Sequence, residues 1–345
     1  MEKVLGLPKA ELHLHLFGCF RSQMIYDIAK RNGIQPEISL EEYQSIQQNF
    51  NCLDDLLKLI RLNFSVINSA SDYYSLAMDG LSVLKSQNVV YAEPAFNIIS
   101  LTNPSISPSA ILDTLTQVAI DMETLHNIKI NWLLEFSRGD CLEEQFKLLS
   151  SISSYKDIFK GIGVAANEFN HPSRDLKPIY DLARNLGFCG LDGKYTTAHT
   201  GEEAPVNFVH ETLDYLNVER IDHGIRTIDD PLLVKKLGER HFPIAMAPIS
   251  NRKLKVLERF CPNRNVYEEF YKAGCCVSIN SDDPGLLNSW INESLTEFYN
   301  DYKSEDKDTA IVEVVKNGFR SAFLSEEEKQ RWIREIDLSL RKNEE

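Results

Sequence analysis

Eight short runs of apolar, β-branched and aromatic residues, separated by stretches of helical period, constrain this chain of 345 residues more than any other feature. The runs are Glu11–Leu16, Val89–Phe96, Ile130–Phe136, Phe159–Ala165, Tyr195–His199, Arg220–His223, Pro243–Ala247 and Cys276–Ser281. Between them, Ser22–Asn32, Ser109–Thr124, Leu142–Ser151, Pro178–Leu186, Val206–Leu216, Pro231–Glu239 and Val266–Lys272 carry helical periodicity, several opening on Pro or Ser and closing on Gly. Strands alternating with helices eight times over predict a (β/α)₈ barrel. A doubly wound sheet usually has fewer strands and a Gly-rich first turn, and no G-x-G-x-x-G follows the first run.

More than seventy residues separate the first two runs, which predicts a helical insertion over 40–85 across one mouth of the barrel. A lid and a helical pair that only thickens the shell are both open readings of it. Near the C-terminus, Ser325 and Glu328 form a capping box leading into Trp332, Ile333, Ile336 and Leu340, so an amphipathic helix over 325–341 is expected on the outside of the barrel. No repeat or linker divides the chain, and residues 1–345 are read as one domain.

Apolar residues make up 43% and charged residues 26%, the balance of a protein that buries a large core. The formal charge of -14 argues against nucleic acid or an anionic membrane as partner and favours a small uncharged substrate. Seven scattered cysteines without a C-x-x-C pair indicate reduced thiols, not a disulfide framework or a thiolate zinc site. No basic leader precedes an apolar stretch and no run reaches the roughly 18 apolar residues of a membrane span. The cytosol is therefore the default expectation; a homo-oligomer is compatible with the sequence but not specified by it.

The informative polar residues stand at the C-terminal ends of these runs, which converge on the active-site face of a barrel. The first gives His13 and His15, two apart and so on one face of a strand. The fifth gives His199 and then Glu202, the sixth His223, and the eighth Asp282 and Asp283. Three imidazoles with one carboxylate suit a borderline-soft divalent ion such as zinc, with room for a water that ionises near neutral pH. The surplus of acid–base groups points to catalysis and away from a closed structural site. His126, His171, His210 and His241 fall in helices or loops and are assigned structural or surface roles.

With these residues in place, the chain resembles the adenosine/AMP deaminase family from Leu7 to about Ser321. His-x-His-x-x-Gly, His-x-Gly-Glu, Arg-Ile-Asp-His-Gly and Ser-Asp-Asp-Pro occur in the family's order. The segments 87–94, 248–256 and 280–284 look most like its adenine deaminase branch. The resemblance implies a metal-dependent barrel hydrolase with one zinc per chain, held by His13, His15, His199 and Asp282. It implies that His223 orients or deprotonates a water, that Glu202 gives a proton to purine N1, and that Asp283 bonds N7 with its carboxyl protonated. The implied reaction turns a 6-aminopurine into the 6-oxopurine and ammonia.

Three positions depart from the family pattern. Phe17 replaces the usual acidic residue that meets a ribose hydroxyl, and an unpaired buried hydroxyl costs on the order of 1–3 kcal/mol. Ala166 replaces the Gly whose N–H meets purine N3, and that donor is expected to survive provided φ stays negative. Ala247 replaces a Cys. Phe17 either fills the space of a ribose, favouring adenine over adenosine, or stacks on the aromatic appendage of aminodeoxyfutalosine, whose carboxylate Arg21 would meet. A two-metal ester or phosphate hydrolase and a non-catalytic purine-binding relative are the remaining readings.

Overall fold

A computed structural model describes residues 1–99, 103, 105–190 and 192–342. Eight parallel strands form its centre: β1 (Lys9–His15), β2 (Val89–Phe96), β3 (Trp132–Ser137), β4 (Phe159–Ala165), β5 (Thr197–Thr200), β6 (Arg220–His223), β7 (Pro243–Met246) and β8 (Cys276–Ile279). A two-residue strand, Lys129–Ile130, pairs with β2 just before β3. Hydrogen bonding runs β1-β2-β3-β4 in one half and β5-β6-β7-β8 in the other. Isolated parallel bridges, Ile162 to Thr196 and Leu14 to Asp282, close the two halves into the expected ring. Strands covered on both faces read as nearly continuous apolar runs, which is why periodicity found them.

The barrel interior is not wholly apolar. Arg220 on β6 is fully buried, pairs with Glu93 of β2 at 2.8 Å, and donates to the carbonyls of Leu12 and Ser321. Asp222, two residues along, accepts from the Thr197 hydroxyl at 2.7 Å. A buried charge persists only with such partners, so the Arg-Ile-Asp part of the sequence motif ties β6 across the barrel to β1 and β2 through Arg220 and to its neighbour β5 through Asp222.

Following α1 (Ser22–Arg31), the insertion contains three helices, α2 (Leu40–Gln48), α3 (Leu53–Ser65) and α4 (Ala70–Ser86). Capping boxes at Ser39/Glu42 and Ser69/Asp72 start α2 and α4. Tyr43 of α2 donates to Asn63 of α3 at 2.8 Å, while Gln47 donates to the carbonyls of Gly285 and Leu286 beyond β8. Leu53, Leu56, Leu57, Ile60 and Phe64 share one face of α3 and cover the C-terminal mouth of the barrel. The insertion is thus a roof, and it has one helix more than a pair. The C-terminal helix Glu326–Lys342 starts at the Ser325/Glu328 box and stacks Trp332 on Phe319 of the preceding helix. Among the described residues no helix is long and apolar enough to cross a membrane, and none of the seven cysteines is paired.

Candidate active site

The strand ends do not simply continue their pleat. Ala166, Gly201, His223 and Asp282, at or just past the ends of β4, β5, β6 and β8, have φ of +74°, +62°, +62° and +67°. A left-handed residue there turns the chain abruptly and aims the following side chains at the barrel axis; for non-glycine residues the strain is a feature of functional sites.

Three of the four histidines at this mouth are prepared as ligands. His13 Nδ1 faces the Ala245 carbonyl at 3.3 Å, His199 Nδ1 the Val164 carbonyl at 3.0 Å, and His15 Nδ1 the Glu135 carboxylate at 3.1 Å. Each of those partners accepts a proton, so each ring in its neutral form keeps Nδ1–H and leaves a bare lone pair on Nε2. The bare nitrogens converge: His13 Nε2 and His15 Nε2 lie 3.0 and 3.1 Å from His199 Nε2, and 3.2 and 3.3 Å from Asp282 Oδ1. Tetrahedral zinc with bonds of about 2.0–2.2 Å has ligand–ligand edges of roughly 3.3–3.6 Å, so the donors are spaced nearly as a zinc ion needs. Ser250 donates to the other Asp282 oxygen at 2.6 Å and fixes the carboxylate.

His223 differs. Its Nδ1 accepts from the Asn251 amide at 2.9 Å, which leaves its proton on Nε2, 3.7 Å from Glu202 Oε2 and 3.8 Å from Asp282 Oδ2. Burial pushes its pKa down to about 3, so the ring is neutral. Proximity alone does not separate these roles: His13, His199, His223 and Asp282 form one tight donor group, and His15, Glu135 and His199 another.

Burial, followed by the charges of Asp282, Glu203 and Glu168, holds the Glu202 carboxyl well above the usual carboxylate range. Burial and then the adjacent Asp282 carboxylate likewise push the Asp283 carboxyl up. Asp283 lines the cavity, and its Oδ1 is buried against Gly18 without a hydrogen-bond partner in the protein. Gly18 makes this arrangement possible, because a Cβ there would lie 2.0 Å from Asp283 Oδ1.

The cavity measures about 110 Å³, with a floor of His15, His199, Glu202, His223, Asp282 and Asp283 and a roof of Phe17 and α3. Phe17 is 6% exposed and wedged against Phe64, Phe96 and Phe20, with ring centroids 4.5, 5.1 and 5.8 Å away. Ala166 lines the wall, but its φ of +74° overturns the expectation of a negative value: it keeps a glycine-like backbone despite its methyl group. Ala247 is fully buried and nothing in its surroundings explains the absence of a Cys.

Arg21 is half-exposed, pairs with Asp79 and lines a separate surface cleft. His126 ends a helix, His171 sits in the loop after β4, His210 pairs with Asp230, and His241 bonds the Gly274 carbonyl. Sequence reasoning missed Glu135, Asn251 and the part played by Glu168. A charge inside the apolar run 132–136 was the one available signal for Glu135.

The sequence model for adenosine deaminase matches residues 8–339. This chain belongs to the adenosine deaminase family. An adenine deaminase from Crocosphaera subtropica is 32% identical over 324 residues, covering 94% of this chain and 96% of that protein. The crystal structure of an adenine deaminase from Arthrobacter aurescens superimposes with a TM-score of 0.88 at 24% identity, over 97% of this chain and 99% of that one. An amidohydrolase from Burkholderia ambifaria with bound zinc gives 0.85 at 22% identity, over 99% and 93%. The family makes the chain a hydrolase of C–N bonds in purine metabolism, and its relatives support deamination of a purine.

Proposed function

We propose that this protein is a zinc-dependent adenine deaminase, converting the free base to the 6-oxopurine and ammonia. The observation that carries the reading is the cavity itself: a converging set of bare nitrogens and a carboxylate, beside one protonated and one unpartnered carboxyl, in a space of about 110 Å³. Ligand pockets for larger molecules run to roughly 300–1,000 Å³. His13, His15, His199 and Asp282 would hold the ion. When bound, zinc supplies the Lewis acidity that brings the ionisation of water near neutral pH.

The chain's own groups supply the rest. Glu202, held protonated, delivers a proton to ring N1, and this makes C6 electrophilic enough for attack by the oxygen of water; the C6–N6 bond then breaks, one proton of the water leaving with the amine as ammonia and the other returning to Glu202. His223, neutral with its proton on Nε2, orients the attacking oxygen by donating to it, and Asn251 fixes that tautomer. Protonated Asp283, which lines the cavity, donates to N7. We assign the N–H of Ala166 to N3, because its positive φ is the conformation a glycine would adopt there. Phe17 and the α3 side chains give N9 an apolar neighbour, so a bare ring fits and a ribose hydroxyl finds no acceptor in Phe17. Arg21 is engaged outside the cavity, which removes the motive for aminodeoxyfutalosine.

Ammonia release from adenine, adenosine and aminodeoxyfutalosine tests this. Adenine is expected to be the preferred substrate, with Glu202→Gln lowering turnover by roughly 10²–10⁴-fold, to a residual rate that can still be measured, while zinc stays bound. Preference for either nucleoside would overturn the free-base reading; no ammonia from any of the three would overturn deamination.

A further inference from the structure

His199 stands on β5, while Glu202 lies in the turn without regular secondary structure just past it, yet the two functional side chains must face one cavity. The turn is held by a carboxylate outside the donor set described above. Glu168, three residues past β4 and 4% exposed, accepts four consecutive backbone N–H groups: Gly201 at 2.7 Å on Oε1, then Glu202 at 3.0 Å, Glu203 at 3.2 Å and Ala204 at 3.2 Å on Oε2. Gly201, at φ +62°, bends the chain so that these amides converge into an anion-binding nest. The other end of the segment is held by Arg138, just past β3, which donates to the His199 carbonyl at 2.8 Å and is itself fixed by the His171 carbonyl and the Ser173 hydroxyl.

We infer that Glu168 is the positioning residue for Glu202, setting the direction of its carboxyl through the backbone of residues 201–204. The inference rests on the deaminase reading for Glu202's part in turnover, but the four hydrogen bonds stand without it. Bonds from N–H to an ionised acceptor are roughly twice as strong as neutral ones, and four on one carboxylate leave the turn a single arrangement. A glutamine at 168 has one oxygen for this task and turns an NH₂ group toward the remaining amides, donor against donor. An aspartate keeps the charge but withdraws it by one methylene.

A double-mutant cycle on the zinc-loaded protein, read with backbone hydrogen exchange, decides the matter. Glu168→Gln is expected to lower kcat for adenine by roughly ten- to a hundredfold, the cost of misplacing a reacting group, while KM and zinc content hold. Glu168→Asp should recover part of that loss. Combined with Glu202→Gln, the glutamine at 168 should cost nothing further, because the group it positions is already disabled. Exchange at residues 201–204 should accelerate in Glu168→Gln while β6 and β7 keep their protection.

A double variant slower than Glu202→Gln by the full single-mutant factor would overturn the inference, as would unchanged exchange at 201–204. Should the glutamine variant not fold, the aspartate variant carries the same cycle. Should wild type release no ammonia, the deaminase reading falls, and exchange at 201–204 still decides whether Glu168 holds the turn.

Discussion

Ala166 occupies a left-handed conformation that costs an L-residue roughly 1–2 kcal/mol, while glycine there would lose about 0.5–1 kcal/mol more chain entropy than alanine on folding. Ala166→Gly should therefore raise stability by up to about 1.5 kcal/mol in urea denaturation, leaving KM for adenine unchanged because the contact proposed for N3 is a backbone N–H. A destabilised Ala166→Gly would show that the methyl group packs usefully. Gly18 presents the reverse case, since its need is close approach and not a positive φ. The added Cβ of Gly18→Ala would meet the Oδ1, Cα and Cβ of Asp283 at 2.0, 2.5 and 2.7 Å, and Asp283 would have to move. A stability loss of about 1–3 kcal/mol is expected from overpacking, together with a fall in adenine turnover; a variant with wild-type turnover would mean that Asp283 does not contact the base. His13, His15, His199 and Asp282 were legible from the chain because each follows an apolar run. Glu168 acts on backbone amides that every turn possesses, and Asn251 acts by choosing a tautomer, so neither leaves a pattern in the sequence.

At the level of elements, Val89–Phe96, Phe159–Ala165 and Arg220–His223 have the same limits in sequence and structure, because burial on both faces leaves no alternation to misread. The helix Lys307–Ser321 escaped the reading of the chain; its Ile311, Val312, Val314 and Val315 are β-branched, and Gly318 interrupts the propensity where it packs on Ala10. The predicted helix 206–216 changes to a wider π turn over 212–216, where the Thr212 hydroxyl reaches Thr200 at 2.9 Å beside the site. The C-terminal helix gives a pH test. Burial works against the Glu328 charge, but bonds from Lys129 at 2.6 Å and from Ser325 outweigh it and lower the pKa from 4.5 to about 2. A depressed carboxyl pKa contributes stability that is complete above the unfolded value and lost as pH falls from about 4.5 through about 2. With Lys129 44% exposed, solvent reduces the ion pair to about 0.5–1 kcal/mol, and the cap adds about 1 kcal/mol. Glu328→Ala should lose about 1–2 kcal/mol at pH 7, the gap from wild type narrowing toward pH 3 in denaturant titrations; a constant gap would remove the charge from the explanation.

For the molecule as a whole, the weakest joins in the ring of strands are the two isolated bridges, and one of them is the seam between β8 and β1. Among the described residues, two backbone–backbone hydrogen bonds cross it, His15 N–H to the Asp282 carbonyl at 3.0 Å and Asp282 N–H to the His13 carbonyl at 2.9 Å, with side-chain bonds from Ser281 to Glu11 and from the Leu12 N–H to Asn280 beside them. The donor set spans that same seam, with two nitrogens from β1, one from the β5 half and a carboxylate just past β8. Without an ion, three ring nitrogens and a carboxylate oxygen sit about 3 Å apart in a buried space; although burial opposes charge there, the nearby carboxylates raise the pKa of His13 and His15, so protons compete for the place of the metal. An ion that binds only the folded chain adds about 4 kcal/mol of stability when present at a thousand times its dissociation constant. Chelation should therefore lower Tm by several degrees and raise hydrogen exchange first at 13–16 and 280–283, with β6 and β7 following only on global unfolding. Zinc should restore both, at one ion per chain. Unchanged Tm and exchange after chelation would mean that these four groups do not hold the seam through a metal, and two ions per chain would move the protein toward the two-metal hydrolases, with His15, Glu135 and His199 as the second donor group.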